Sequence, residues 1–115
     1  MQIKIGCDLV NIERFKKSLE NGGNLFLEKI FSPEELKNRN KIESLAGLFA
    51  AKEATFKALD ITTDNWLNIR ILKQKSGKPY LILDSIDLNF EYSCDISISH
   101  DGIYALAFVT FLIRE

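Results

Sequence analysis

The sequence has 115 residues, 46% of them hydrophobic, which is the size and composition of one domain with its own core. Fifteen basic and sixteen acidic residues give a net charge of −1, which argues against a protein that binds nucleic acid mainly by neutralising phosphates. Ten of the fifteen lysines and arginines lie in the first 60 positions. They predict either a basic surface for an acidic partner or ordinary solvated helix surfaces.

The cysteines and the hydrophobic pattern indicate where the protein resides. Cys7 and Cys94 fall at apolar positions of predicted strands, which favours two small buried thiols over a disulfide or a metal site. No apolar run reaches the ~18–20 residues of a membrane-spanning helix, and the N-terminus lacks the features of a signal peptide. We therefore expect one cytoplasmic domain over residues 1–115, with neither a membrane nor a nucleic acid as partner.

The first predicted element is a strand from Ile3 to Val10, because residue types alternate along it. One face carries Ile3, Ile5, Cys7 and Leu9, and the other carries Lys4, Gly6, Asp8 and Val10. Asp8 is thus expected on a sheet face rather than in a turn.

Two helical segments are predicted next. A helical pattern over residues 11–19 ends at Asn21-Gly22-Gly23, and a short apolar segment follows over residues 25–31. A short helix then begins near Ser32, since Ser32 can cap it, Pro33 fits its first turn and Glu35 completes a capping box.

The main predicted helix, Ile42 to Leu59, places a charge inside its own apolar stripe. Glu53 projects toward the face that carries Phe49, and Lys57 borders that face. Burying an unpaired carboxylate costs roughly several kcal/mol, so a cation, a metal or both should accompany Glu53. The alternative is a surface ion pair of Glu53 with Lys57. Small residues on the opposite side predict that the helix is covered twice: Gly47, Ala51, Ala54 and Ala58.

Strands dominate the second half of the chain. Trp66 to Lys73 and Tyr80 to Leu83 are predicted to form a hairpin, because the segment between them contains glycine and proline. Tyr92 to Ser99 and Ile103 to Phe111 form a second antiparallel pair around Asp101-Gly102. The expected fold class is α+β, with an antiparallel sheet packed on a long central helix.

His100, the only histidine, is expected on the inward side of its strand at the rim of a turn, as a ligand contact or as a packed structural residue. Zinc is disfavoured, because there is no second histidine. Asp8 alone could also cap a helix. Taken together, Asp8, Glu53, Lys57 and His100 with a Ser-Gly-Lys-Pro loop suit Mg²⁺ and a polyphosphate.

Three blocks then carry a family resemblance: Ile5–Val10 (IGCDLV), Phe49–Ala54 (FAAKEA) with Lys57, and Ser97–His100 (SISH). With them the sequence resembles the holo-acyl-carrier-protein synthases, the small bacterial type of 4′-phosphopantetheinyl transferase. The resemblance implies that fold and transfer of phosphopantetheine from coenzyme A to a serine of apo-acyl carrier protein, releasing adenosine 3′,5′-bisphosphate, in fatty acid biosynthesis.

The resemblance also implies roles for individual residues. Asp8 and Glu53 would hold Mg²⁺, Lys57 would lie near the reacting phosphoryl oxygens, and Glu53 is the candidate base. Contacts to coenzyme A would come from Ser76, Gly77, Lys78, Pro79, Ser99 and His100. The acidic carrier would meet Arg14, with Lys17, Phe26 and Lys29 as further candidates.

The resemblance implies a homotrimer with active sites between subunits, one subunit giving the aspartate and glutamate and a neighbour giving the histidine. The apolar strand from Ile103 to Phe111 fits an interface, and its pattern alone fits burial within one subunit equally well. One departure is Leu48, where many relatives have an arginine. Lys52 and Lys41 are the candidates to replace its charge.

Three other functions fit the same residues. The first is a non-catalytic oligomeric binding module, with Glu53 and Lys57 as a structural pair. The second is another magnesium-dependent phosphotransferase or a pyrophosphate hydrolase that needs no carrier. The third is the larger pseudo-dimeric transferase type, of which this chain would be one half.

Overall fold

A computed structural model describes residues 1–37, 39, 41–61, 65–84 and 86–114. Its helices and strands follow one another in a simple order: β1 Gln2–Asn11, α1 Ile12–Ile30, α2 Pro33–Leu36, α3 Ile42–Leu59, a 3-10 turn Trp66–Asn68, β2 Ile69–Lys73, β3 Pro79–Leu83, β4 Glu91–Asp101 and β5 Tyr104–Arg114. None of the helices in the described ranges is long and apolar enough to cross a membrane.

The strands form two antiparallel sheets. One has the order β1-β5-β4, and the other is the separate hairpin β2-β3. Helix α3 packs along all three strands of the larger sheet, while α1 and β2 also contact it. The small residues Gly47, Ala51, Ala54 and Ala58 are all buried, as predicted for a helix covered on two sides. The predicted α+β class and the central helix are confirmed.

The face of β1 that packs against the core is not the face that carries most of its hydrophobic residues. Gly6 and Val10 are buried, whereas the isoleucines and Cys7 are exposed. A Cβ on Gly6 would overlap the Ala54 carbonyl oxygen and lie 2.9 Å from the Ala58 nitrogen. The glycine face therefore packs against α3, and the predicted burial of the Cys7 thiol is wrong.

Cys94 comes closer than Cys7 to the burial predicted for both thiols. Cys94 is half-buried on β4, and burial, aided by the charge of Asp95, raises the pKa of its thiol to about 12. It therefore behaves as a neutral packing residue at physiological pH.

Helix α1 is interrupted where its pattern predicts an end. At Gly23 the backbone has φ 59° and ψ −145°, which lies outside the helical region and divides α1 into two helical segments. The apolar segment beyond the bend is helical, buries Ile30 and brings the Phe26 ring to 6.2 Å from that of Phe15. The predicted end of the first helical segment at Asn21-Gly22-Gly23 is therefore confirmed, and a second segment continues to Ile30.

The short connections are capped by side chains. The Ser32 hydroxyl accepts a hydrogen bond from the Glu35 amide, and the Glu35 carboxylate accepts one from the Ser32 amide, which confirms the predicted capping box. The stretch at Trp66 was expected in a strand but forms a 3-10 turn. The Asn65 side chain caps that turn, and the Trp66 ring stacks 5.1 Å from that of Phe49.

Candidate active site

The first group of functional residues forms where β1 crosses α3. Lys57 donates hydrogen bonds to Asp8 Oδ1 at 2.9 Å and to the Cys7 carbonyl at 3.2 Å. Glu53 lies one helical turn before Lys57, and its carboxyl is close enough to that of Asp8 for the neighbouring charge to raise its pKa. Asp8 therefore does not cap a helix N-terminus; it links the strand to a side chain in the last turn of α3.

This group contains two carboxyl groups and only one cation. Burial raises the pKa of Glu53, and the charge and hydrogen bond of Asp8 raise it further, while Lys57 opposes the shift. The hydrogen bond to Asp8 is the main cause of the raised pKa of Lys57. Two carboxyl groups thus share a small volume beside one exposed ammonium group, which can neutralise only one of them.

The donor set fits a hard divalent cation that is completed by a substrate. No three histidine, cysteine, aspartate or glutamate side chains in the described ranges are arranged as a metal site. Two adjacent carboxylates are nevertheless the oxygen ligands that Mg²⁺ uses when phosphate and water supply its other positions. Asp8 and Glu53 are therefore the residues that would hold it, and a cation there would relieve their repulsion.

The second group lies at the turn of the β2-β3 hairpin. A cavity of about 200 Å³ lies between this turn and the end of β4. Three of the predicted residues line it: Gly77, Pro79 and His100. His100 shares the face of Ile98, as expected, but it is exposed because the strand extends past the core there.

Three other predicted contacts of this group lie elsewhere. Lys78 makes an ion pair with Asp95 at 2.8 Å and lines a neighbouring cavity of about 530 Å³ with Pro79. The Ser76 hydroxyl accepts a hydrogen bond from the Lys78 amide at 3.4 Å. Ser99 is exposed, on the opposite strand face from His100.

Arg39 also lines the hairpin cavity, and sequence reasoning did not single it out as a site residue. It is only 8% exposed, and within the described ranges its guanidinium has no ion pair or side-chain hydrogen bond. Burial lowers its pKa, and the Glu35 carboxylate partly offsets this. Lys73 at the end of β2 and Ser44 in the first turn of α3 border the same space. A buried cation that faces an open cavity is suited to an anion.

The burial of Leu48 and Lys52 decides which cations can replace the family arginine. Leu48 is fully buried, and so is Lys52, whose ammonium group is bonded to Glu35 inside the protein. The proposal that Lys52 replaces the family arginine is therefore wrong. Lys41 is exposed at the start of α3, and Arg39 is the cation that lines the cavity.

The two groups occupy one face of the larger sheet. Across β5, Asp8 pairs with Ala107 and His100 with Ala105, so the two side chains lie two strands apart, roughly 10 Å across the sheet. Helix α3 lies over this same face. A ligand that contacts both groups within one chain must therefore be extended.

The predicted carrier surface divides into two parts. Arg14, Lys17 and Lys29 are exposed on α1. Phe26 is half-buried against the Phe15 ring, so it contributes mainly to packing.

Comparison with known proteins assigns the chain to a family. Residues 4–109 match the model of the 4′-phosphopantetheinyl transferase superfamily. The chain belongs to this family. A holo-[acyl-carrier-protein] synthase of Alkaliphilus metalliredigens is 42% identical over 116 residues, covering 90% of this chain and 93% of that one. The synthase of Sulfurovum sp. is 37% identical, covering 91% and 92%.

A solved structure shows the same fold. The crystal structure of Helicobacter pylori holo-[acyl-carrier-protein] synthase in complex with coenzyme A aligns with a TM-score of 0.85 at 35% identity, over 96% of this chain and 99% of that one. The resemblance found in the three sequence blocks is thereby confirmed.

Proposed function

We propose that this phosphopantetheinyl transferase moves the 4′-phosphopantetheine group from coenzyme A to a serine of an apo-acyl carrier protein. The observation that carries the proposal is the ion pair of Asp8 with Lys57, which places both beside Glu53 one helical turn away. It is supported by the full-length similarity to proteins named holo-[acyl-carrier-protein] synthase, one of them solved with coenzyme A.

The cavity at the hairpin supports binding of the nucleotide end of coenzyme A. Arg39, Lys73 and His100 offer cationic or hydrogen-bonding groups for phosphate oxygens. Gly77 has φ 91°, a backbone conformation that favours glycine. No side chain therefore projects from this position where the turn borders the cavity. We propose that this end of the substrate binds there, while its pyrophosphate extends toward Asp8 and Glu53 of a neighbouring subunit.

The transfer step uses the first group. The carrier serine oxygen forms a bond to the phosphorus that carries the pantetheine, and the bond from that phosphorus to the leaving phosphate oxygen breaks, releasing adenosine 3′,5′-bisphosphate. Glu53 is the candidate to accept the serine proton, since its raised pKa makes it a stronger base than an ordinary carboxylate. Lys57 can stabilise charge on the phosphoryl oxygens. Mg²⁺ bound by Asp8 and Glu53 would supply charge neutralisation for the pyrophosphate.

Several finer features belong to the same proposal. Residues 1–115 act as one domain in the cytoplasm and serve fatty acid biosynthesis. Arg14, Lys17 and Lys29 receive the acidic carrier. The exposed apolar face of β1 and β5 supports association of three copies, since β5 buries only its inner face within one chain.

Release of adenosine 3′,5′-bisphosphate separates this function from its rivals. The protein is incubated with coenzyme A and Mg²⁺, with and without apo-acyl carrier protein, and the nucleotide is quantified by chromatography. We expect release only when the carrier is present. Release without it would support a pyrophosphate hydrolase, and coenzyme A binding without release in either mixture would support a binding module.

A further inference from the structure

A second cavity lies between helix α2 and the hairpin and takes no part in the transfer proposed above. Its volume is about 330 Å³, and we call it the α2 cavity. None of its lining residues belongs to β1, β4 or β5, so it is separate from the exposed apolar face of the larger sheet. The lining consists of Glu34, Lys37, Arg39, Leu72, Lys73 and Tyr80.

Arg39 contributes a buried cation without a partner to this lining. Its side chain is 8% exposed, and within the described ranges its guanidinium makes neither an ion pair nor a side-chain hydrogen bond. The neighbouring carboxylate of Glu35 is engaged elsewhere, since it accepts hydrogen bonds from Lys52 at 2.7 Å and from the Ile71 amide at 2.9 Å. Burial of an unpaired charge is costly, so an anion in the cavity would gain the attraction of Arg39 without displacing another partner.

The other charged residues of the lining also favour an anion. Lys37 at the end of α2 and Lys73 at the end of β2 form no ion pair within the part of the chain that the structure describes. Glu34 accepts a hydrogen bond from Arg70 at 2.6 Å. Three cations therefore line the cavity with a single carboxylate, and that carboxylate already has a partner.

The hairpin gives the α2 cavity an apolar wall. Leu72 on β2 and Tyr80 on β3 lie opposite each other, so their side chains share one face of the hairpin. A cavity above about 300 Å³ can hold an organic ligand and not only a bare ion. Cations beside an aliphatic and an aromatic side chain suit a phosphate group that is attached to an apolar or aromatic group.

We propose that the α2 cavity binds a small phosphate monoester with an apolar or aromatic group, and that this ligand competes with coenzyme A. Arg39 and Lys73 line both the α2 cavity and the hairpin cavity, so a phosphate bound in one withdraws them from the other. Lys37 and Tyr80 line only the α2 cavity, whereas His100 lines only the hairpin cavity. The competition rests on the proposed function, but the binding of the phosphate monoester does not.

Substitutions that each affect one cavity test the proposal, with phenyl phosphate as the probe. Lys37→Ala removes a cation of the α2 cavity, and His100→Ala removes a group of the hairpin cavity. Lys75→Ala, which removes an exposed cation that lines neither cavity, is the control. Calorimetry in a buffer without phosphate measures the Kd of phenyl phosphate alone and the Kd of coenzyme A with Mg²⁺.

The two ligands should respond to different substitutions. We expect the Kd of phenyl phosphate to rise about fivefold or more in Lys37→Ala and to stay within about twofold in the other two variants. The Kd of coenzyme A should rise about fivefold or more only in His100→Ala.

Two further measurements use the wild-type protein. Saturating phenyl phosphate should raise the apparent Kd of coenzyme A about fivefold or more, because the two ligands share two cations. Inorganic phosphate should bind about fivefold or more weakly than phenyl phosphate, because it leaves the apolar wall exposed to water.

Several results would overturn the proposal. These are no binding of phenyl phosphate at millimolar concentration, binding that depends on His100 and not on Lys37, or binding no tighter than that of inorganic phosphate. A rise in the Kd of coenzyme A in Lys37→Ala would also overturn it, because the α2 cavity would then belong to the substrate site. An unchanged Kd of coenzyme A in the presence of bound phenyl phosphate would refute the competition.

Failure of the proposed function gives a different result. In that case the wild-type protein binds phenyl phosphate with the expected dependence on Lys37, but it neither binds coenzyme A nor modifies a carrier. Such a result would refute the transferase function and leave the phosphate monoester site standing without the competition.

Discussion

Glu53 is held where its negative charge is unfavourable. Burial and the neighbouring Asp8 raise its pKa in the folded protein, whereas in the unfolded chain it titrates as an ordinary carboxyl. Between those two pKa values the folded state binds the extra proton, so the free energy of unfolding decreases as the pH rises through them. At pH values above the pKa of Glu53 in the folded protein, the whole destabilising effect of its charge is present.

The first prediction concerns Glu53→Gln. Transfer activity should fall by about 10²–10⁴-fold, because the base and a metal ligand are lost. The variant should nevertheless unfold at a higher temperature than wild type at neutral pH without Mg²⁺, and this difference should disappear below about pH 4. Activity assays and thermal denaturation across pH measure both effects. Full activity, or lower stability at neutral pH, would contradict the account of this site.

The second prediction concerns Arg39→Ala. Removing a charged hydrogen-bond donor costs about 1.5–3 kcal/mol, so the Kd for adenosine 3′,5′-bisphosphate should rise roughly 10–100-fold. Affinity for 4′-phosphopantetheine should change little. Calorimetry with both ligands measures this, and Lys75→Ala, an exposed cation of the same hairpin turn, is the control. Equal effects of the two substitutions would remove Arg39 from the phosphate site.

At the scale of elements, the distance between β1 and α3 depends on one missing side chain. Gly6 lies against the α3 backbone at Ala54 and Ala58, and this contact brings Asp8 within reach of Glu53 and Lys57. Backbone atoms cannot move aside as a flexible side chain can, so a larger residue at position 6 must displace the whole strand.

The third prediction follows from this contact. Gly6→Ala should destabilise the protein by about 1–3 kcal/mol and reduce kcat, since Asp8 moves away from Glu53. Gly47→Ala is the control, because its Cβ would meet a side-chain methyl, Ile98 Cγ2 at 2.7 Å, rather than backbone atoms, and alanine favours a helix. Urea denaturation and transfer assays compare the two. A variant at position 6 as stable and active as that at position 47 would refute the close-packing argument.

The elements were largely predictable where one signal dominated. The bounds of α3 and the capping box of α2 agree with the sequence pattern, because periodicity and capping chemistry are local. The face of β1 was not predictable in this way. Its apolar residues alternate correctly, but packing against α3 selects the face with Gly6. The break in α1 at Gly23 was predictable from the Asn-Gly-Gly sequence, whereas the short apolar segment beyond it did not by itself specify a helix.

The site residues also divide into those that the sequence predicted and those that it did not. Asp8, Glu53 and Lys57 lie together, as their shared positions in the family blocks suggested. Arg39 was not singled out, because what distinguishes it from other surface cations is its burial beside a cavity formed by a distant hairpin. Similarly, Lys52 has the sequence context of a candidate ligand contact, and only the fold shows that Glu35 holds it inside.

At the scale of the whole molecule, one face of the larger sheet is apolar and open to solvent. Leu106 and Phe108 on β5 are each 41% exposed, and Ile3, Ile5 and Leu9 lie beside them on β1. A continuous apolar face of this kind on a small protein is typical of a subunit interface.

The fourth prediction is that Leu106→Lys combined with Phe108→Glu prevents self-association. The two side chains lie outside the core of one chain, so the folded structure should persist while the interface is lost. Sedimentation velocity should show a trimer for wild type and a monomer for the variant, with unchanged circular dichroism. A wild-type protein that sediments as a monomer would contradict the proposed assembly.

The central claim is the transfer itself, and the mass of the carrier protein tests it most directly. Purified protein, coenzyme A and an apo-acyl carrier protein are incubated with Mg²⁺ or with a chelator, and the intact carrier is weighed by mass spectrometry. We expect the carrier to gain one phosphopantetheine group with Mg²⁺ and to stay unchanged with the chelator or with Glu53→Gln. An unmodified carrier in the presence of folded enzyme and Mg²⁺, with several carriers tried, would contradict the account.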